Sequence, residues 1–159
     1  MLEFVFDYRS PYAYLANTQV KGMGVKIDYK PVDIVAVMKI VNNQPVPLCP
    51  PKAHHARIDA ARWAKHYGVA FSPNRTLLEA MLTGQIDGAL LSRAALAAQE
   101  LGVFDRVNDA LYHAVWAGTD DLTTEEGRSV FLKRRDIAAD GLWQLASDAK
   151  LRLYLGPRR

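Results

Sequence analysis

Every β-strand signal in this chain falls within its first 31 residues, and more than a hundred residues of helical pattern follow. Leu2, Phe4 and Phe6 lie on one parity and Glu3 and Val5 on the other, which predicts a short, mostly buried strand. Val25, Ile27 and Tyr29 alternate with Lys26, Asp28 and Lys30 until Pro31 stops the pattern, predicting a second strand. Between the two, Ser10-Pro11 reads as a helix start. Serine accepts from the first free backbone N–H groups, and proline at the next position has its φ already set. The helix runs to about Lys21, with Gly22 ending it. Strand, helix and strand form a βαβ unit with parallel strands and a right-handed crossover. A two-stranded sheet is marginal alone, so this unit needs further strands or a close helical cover.

The helical part is punctuated by proline and glycine. Asp33 caps a short helix through about Ile40, and the proline-rich stretch Asn42 to Pro51 is an ordered loop. Pro51 opens a helix with Ala56, Ala60, Trp63, Ala64 and Tyr67 at helical spacing, ended by Gly68. A shorter helix covers Thr76 to Thr83 before Gly84. Leu90, Ala94, Ala97, Ala98 and Leu101 mark the next stripe, and Val107, Ala110, Leu111, Ala114 and Val115 another, stopping at Gly102 and Gly118. Thr123 with Glu126 forms a capping box for a helix to about Ala139. A last short helix spans Leu142 to Ala149. The architecture is α/β and helix-dominated, one βαβ unit followed by five or six helices, without repeats or linkers.

Composition then removes several function classes. The 159 residues suit one domain of ordinary size. No apolar run approaches the ~18 residues of a membrane span. The N-terminus lacks a basic segment leading into an apolar stretch, so no secretory signal is expected and a cytoplasmic location is. One cysteine, Cys49, excludes an internal disulfide, a CxxC redox pair and a multi-thiolate metal site. The net charge of +3 invites a nucleic-acid reading. Residues 150–159, however, hold Lys150, Arg152, Arg158 and Arg159 and no acid, so the remainder has 16 basic against 17 acidic residues. The basicity belongs to the tail, and neither a nucleic-acid nor a membrane partner is expected.

Ser10-Pro11-Tyr12 is the strongest candidate site, because a strand there hands over to a helix N-terminus. Unsatisfied N–H groups and the positive end of the helix dipole stabilise an anion at such a place, a thiolate included. Ser10 can also donate its hydroxyl hydrogen to a bound sulfur. Lys39, with Asn42 and Asn43 beyond it, is a candidate holder of a carboxylate or amide. Asp59 and Arg62 read as an i,i+3 surface pair, and His55 with Asp59 as a local polar pair. His55 and His66 stand near 16 Å apart on one helix at ~1.5 Å per residue, so they share no metal, and no metal site is expected. No G-x-S-x-G turn accompanies Ser10, and Cys49 has no neighbouring cation to activate it.

Four blocks in order, FDYRSPYAYLAN, IDYKPVDI, KIVNNQPVPLCPPKAHHARIDAARWAKHYGV and ALYHAVWAGTDDL, resemble the 2-hydroxychromene-2-carboxylate isomerases and the related kappa-class glutathione transferases. These are thioredoxin-like proteins akin to the disulfide oxidoreductase DsbA. The similarity covers residue 2 to about 148. It implies a thioredoxin-type domain interrupted after its second strand by a large helical insertion. It also implies glutathione as cofactor, held through Ser10, Pro11 and Tyr12, with the Ser10 hydroxyl stabilising the thiolate in place of a redox cysteine. The glutathione sulfur is then the nucleophile. It adds to an unsaturated ring-opened carboxylate, lets a former double bond rotate, and is expelled to leave the trans product. Lys39 matches a family lysine associated with the substrate carboxylate, and a homodimer is implied.

The resemblance has two departures. Val46 and Pro47 stand where relatives place polar residues toward the substrate. The family's cis-proline loop, two further strands and last helix find no counterpart before the chain reaches LRLYLGPRR. The expected division is therefore residues 1–32 as the N-terminal βαβ part, 33–149 as helical insertion, and 150–159 as a basic tail or truncated return to the first domain. A truncated product, an incompletely represented chain and a variant completed by its dimer partner all fit this ending. The leading function is a glutathione-dependent isomerase of small aromatic or chromene carboxylates. The alternatives are a kappa-class glutathione transferase and a non-catalytic remnant serving as a helical binding or dimerisation module.

Overall fold

Strand β1 (Leu2–Phe6) pairs in parallel with β2 (Ile27–Pro31), Leu2 opposite Ile27 and Phe6 opposite Pro31. The ladder is closed at its ends by Leu2 N–H donating to Lys26 O (2.8 Å) and Val32 N–H donating to Phe6 O (2.9 Å). Phe4 and Phe6 stack, and the Tyr29 ring meets both edge-on, which holds one face of the pair. β1 is less buried than its alternation suggests. Only Phe6 is fully covered, while Leu2 and Val5 remain exposed, because two strands alone leave an outer edge and much of one face to solvent. The computed structural model describes residues 1–148 and 151–153.

Helix α1 (Pro11–Val20) begins as expected, with Ser10 as its N-cap and Pro11 in its first turn. It passes into a single 3₁₀ turn, Lys21–Met23, and the chain reverses at Gly24 with φ +66°, not at Gly22. Helix α2 (Ile34–Ile40) is capped by Asp33, whose carboxylate accepts from Val35 and Ala36 N–H at 3.1 and 3.2 Å. A 3₁₀ turn, Val46–Leu48, orders the proline-rich loop, and helix α3 (Pro50–Tyr67) starts one residue earlier than Pro51. Ala60 and Ala64 form its buried stripe, whereas Trp63 and Tyr67 of the same pattern stay exposed and stack on each other.

These elements belong to the first of two compact units, residues 1–71 and 72–153. Helices α2 and α3 therefore group with the βαβ segment. Helix α3 packs on α1, and the Tyr14 hydroxyl reaches across 56 residues to donate to Ala70 O at 2.6 Å. The near-neutral balance outside the tail conceals a segregation along the chain. Residues 1–71 hold nine Lys/Arg against five Asp/Glu, and residues 72–153 nine against twelve.

The second unit comprises α4 (Arg75–Thr83), α5 (Leu90–Glu100), α6 (Phe104–Trp116), α7 (Glu125–Arg134) and α8 (Leu142–Ala146). Helix α5 is its hub, packing on α6 and α8 through Ala94, Ala95, Ala97 and Ala98, all fully buried. Small side chains let backbones approach closely, so the Arg93 Nε can donate to Ala146 O at the end of α8 (2.7 Å). Asn74 caps α4 with its side-chain oxygen, and its amide donates to Ala114 O (3.1 Å) and Asp120 O (3.0 Å). Arg135 forms a two-pronged pair with Asp120 (2.9 and 2.7 Å) while lying over the Phe131 ring.

Two boundaries here differ from the sequence pattern. Thr124, not Thr123, caps α7: its hydroxyl accepts from Gly127 N–H (3.0 Å), and the Asp121 carboxylate accepts from both the Thr123 hydroxyl (2.6 Å) and the Thr124 hydroxyl (3.2 Å). Helix α7 stops at Arg134, since Asp136 takes φ +50°, and buried Ile137 and Ala139 lie in the loop beyond it. Helix α8 ends at Ala146. Of the expected tail 150–159, only 151–153 lie within the described residues, and Leu151 is buried there with its N–H donating to Asp148 O.

Substitutions at three positions check these connections by thermal or urea melting. Asp7→Ala removes a buried carboxylate that takes four hydrogen bonds, described below, and destabilises by about 3 kcal/mol. Asn74→Ala costs about 2 kcal/mol, while Asn74→Asp, which keeps the cap and loses both donors, recovers part of that. Gly127→Ala is destabilising by about 2 kcal/mol although alanine is the better helix former. A β-carbon at 127 would clash with the Asp121 carbonyl oxygen. A Gly127→Ala chain melting at or above wild type would contradict that geometry.

Candidate functional site

The end of β1 turns into α1 through Asp7, Tyr8, Arg9 and Ser10, and this turn is locked by side chains. Asp7 is buried, and its carboxylate accepts from the Arg9 N–H (2.9 Å), Arg9 Nε (2.9 Å), Arg9 Nη2 (2.6 Å) and Ile34 N–H (2.9 Å). Arg9 Nη2 also donates to Asp33 Oδ1 (2.7 Å). Burial opposes the Arg9 charge, but the hydrogen bonds and charges of Asp7 and Asp33 outweigh it and hold the guanidinium pKa above its ordinary value. Ser10 N–H donates to Asp7 O at 3.1 Å, which fixes the residue at the mouth of α1.

The Ser10 side chain accepts from Ala13 N–H at 3.2 Å. That bond uses a lone pair and leaves the hydroxyl hydrogen available, and it donates to no acceptor among the described residues. Pro11 is half-buried behind it, and Tyr12 projects outward. The Tyr12 hydroxyl donates to Asp59 Oδ2 of α3 at 2.8 Å. Asp59 is thus turned toward α1, and the expected pairings with Arg62 and His55 give way to this bond. Partial desolvation, then the hydrogen bond and charge of Asp59, push the Tyr12 phenol above its ordinary pKa, so it remains a protonated donor through neutral pH.

Beside this bond lies an open hollow of about 430 Å³ lined by Tyr12, Val46, Pro51, Lys52, His55 and Ala56. Its floor is mostly apolar, with Lys52 and His55 as the polar groups of α3 at its rim. Lys52, His55, Ala56 and Asp59 recur at spacings of three and four, so one side of α3 faces α1. That spacing was the signal in the sequence for a second wall; it was obscured because Asp59 also fits a local ion pair.

Ser10, Pro11 and Tyr12 therefore occupy the predicted place at one helix terminus. Lys39, Asn42 and Asn43 are not part of the hollow's lining. All three are exposed at the end of α2, where Asn42 takes φ +52° and Asn43 N–H closes the helix by donating to Met38 O (2.8 Å). Val46 lines the hollow, as its sequence position suggests, and adds no polar group. Cys49 is half-buried at the start of α3. Among the described residues no three His, Cys, Asp or Glu side chains gather into a metal site, and no helix is long and apolar enough to cross a membrane.

Glutathione S-transferase kappa 1 of Caenorhabditis elegans is 25% identical over 130 residues, which are 79% of this chain and 58% of that protein. The chain thus spans less than two thirds of that relative's length. The solved structure of a 2-hydroxychromene-2-carboxylate isomerase superposes with a TM-score of 0.75 at 18% identity, over 95% of this chain and 73% of the other. That likeness establishes a shared fold, a helix-rich thioredoxin-like fold with a small parallel sheet. The model of the DSBA-like thioredoxin domain matches residues 1–150, and the chain belongs to that DsbA-like thioredoxin family.

Proposed function

We propose that the protein is a glutathione-dependent isomerase of the 2-hydroxychromene-2-carboxylate isomerase type, with Ser10 as the residue that steadies the glutathione thiolate. The observation that carries this reading is the Ser10 hydroxyl, which caps α1 as an acceptor and keeps its own hydrogen for a sulfur at the positive end of that helix. The residues present suit such a group. An anionic sulfur gains a hydroxyl donor and the helix terminus, and the basic balance of residues 1–71 favours an anionic ligand overall.

Glutathione, when bound, supplies a nucleophilic sulfur able to add reversibly to a conjugated double bond, so that rotation about the resulting single bond precedes its release. The chain's own part is electrostatic and positional. Ser10 lowers the proton affinity of the sulfur, Pro11 and Tyr12 shape the entrance to α1, and the hollow beside Tyr12 takes the apolar body of a small aromatic carboxylate. In this reading Lys39, Asn42 and Asn43, exposed at the end of α2 and outside the lining of the hollow, hold the carboxylate. The same reading includes a cytoplasmic homodimer. The kappa-class relative supports a second reading, glutathione transfer to an electrophile, which uses the same Ser10 chemistry and differs in whether sulfur stays on the product.

The test is ultraviolet turnover of 2-hydroxychromene-2-carboxylate with and without glutathione, beside product analysis for a stable conjugate. Reversible isomerisation without conjugate supports the isomerase, and accumulation of conjugate supports the transferase. Ser10→Ala should lower glutathione-dependent turnover by roughly tenfold or more, a barrier change of about 1.4 kcal/mol or greater, while losing about 1 kcal/mol of stability through the cap. Ser10→Asp keeps a capping oxygen but sets a negative charge against the sulfur, so it should retain the fold and lose turnover. A wild-type chain that neither melts higher with glutathione nor turns over either substrate class overturns the proposal; a hundredfold excess over Kd should add ~2.7 kcal/mol.

A pH prediction follows from Tyr12. Its phenol is more easily kept protonated in the folded chain, so the Tyr12–Asp59 bond is intact below the unfolded tyrosine pKa near 10 and is lost as pH rises through the higher folded value. Burial also holds the Tyr14 phenol above its ordinary value, so spectrophotometric titration should show late tyrosine ionisation from both residues; the Tyr12 component moves earlier in Asp59→Ala and is lost in Tyr12→Phe, while the Tyr14 component stays.

A further inference from the structure

Arg9 joins two carboxylates that serve different helices. Asp7 receives Arg9 Nε and Nη2 together with the Ile34 N–H, and its carbonyl receives Ser10 N–H. Asp33 receives Arg9 Nη2 and caps α2 through Val35 and Ala36 N–H. One side of this cluster thus sets the turn into Ser10, and the other sets the start of α2. The Asp7 side chain is 3% exposed and that of Arg9 15%, so water has little part in the Arg9–Asp7 bonds, while Asp33 is partly exposed.

A guanidinium between two carboxylates carries one formal negative charge overall. Through space, such a cluster disfavours a thiolate, so its value at this place is geometric. We infer that Arg9 is a positioning residue: by clamping Asp7 and Asp33 it fixes the Ser10 turn against the start of α2, so that the hydroxyl and the helix terminus are aimed before a thiol ligand arrives. The inference rests on the reading of Ser10 as the thiolate holder. Lysine is a poor substitute, because a single ammonium lacks the planar fork that reaches both carboxylates in fixed directions.

Asp33→Asn is the decisive variant. Asparagine caps a helix as well as aspartate does, so α2 is kept, while the charged bridge to Arg9 is weakened. Removing a negative charge lowers a neighbouring thiol pKa if the cluster acts only through space, whereas loosening Ser10 raises it. The two explanations therefore predict opposite signs. The measurement is the thiolate absorbance of bound glutathione as a function of pH, on the full chain, for wild type, Ser10→Ala, Asp33→Asn and Arg9→Lys, with circular dichroism and melting on each.

The expected result is a thiol pKa raised by roughly half a unit or more in Asp33→Asn, with helicity kept. Arg9→Lys should shift it in the same direction where it folds. Ser10→Ala should show the largest rise. An unchanged or lowered value in Asp33→Asn, with Ser10→Ala still raising it, overturns the positioning role and leaves the Ser10 reading standing. No effect of Ser10→Ala, or no glutathione binding by the wild type, overturns both.

Discussion

The Asp7 carboxylate is the interaction on which the first unit turns. A carboxylate this buried is costly unless every lone pair is used. Asp7 meets that demand with two guanidinium contacts, the Arg9 backbone N–H and the first N–H of α2. The strand, the turn into α1 and the origin of α2 therefore meet at one side chain. Arg9 extends the arrangement to Asp33, so both helix starts in the βαβ region are organised by a three-residue cluster.

The second unit is organised by a different principle. Its centre is an alanine-rich face of α5, where small residues permit helices to approach until side chains can reach backbone ends. Arg93 on Ala146 O accompanies that closeness, and Asn74 on Ala114 O and Asp120 O ties the start of α4 to the end of α6 and the loop beyond it. Directional bonds hold the first unit where its sheet is too small to supply a core. Packing holds the second, with hydrogen bonds closing its margins.

Much of this was legible in the sequence because it depends on local chemistry. Ser10-Pro11 and Asp33 announced helix starts, and Gly68, Gly84 and Gly102 announced helix ends, since each effect acts within one turn of chain. The parallel pair followed from two alternating segments separated by a helix. Where a side chain had two possible partners, sequence was insufficient. Thr123 and Thr124 both suit a cap, and only the folded turn shows that Gly127 N–H meets the hydroxyl of Thr124. Asp59 has Arg62 and His55 on its own helix and Tyr12 47 residues away, and the distant partner is the one it takes. The role of Arg9 was not legible, because nothing in its local pattern shows that Asp7 and Asp33 converge on it. For the candidate site, the terminus at Ser10 was readable, and the wall contributed by α3 was not.

The bonds around Ser10 also differ in the length of chain they must gather. Ile34 N–H to Asp7 closes a loop of 27 residues, Tyr12 to Asp59 one of 47, and Tyr14 to Ala70 one of 56. In a flexible chain the entropy of closure grows as the logarithm of loop length, so the 47-residue contact costs about 0.5 kcal/mol more than the 27-residue one. That difference favours an order of assembly. The mouth of α1 takes shape from residues already near it in sequence, and the hollow beside it waits for α3 to arrive and dock.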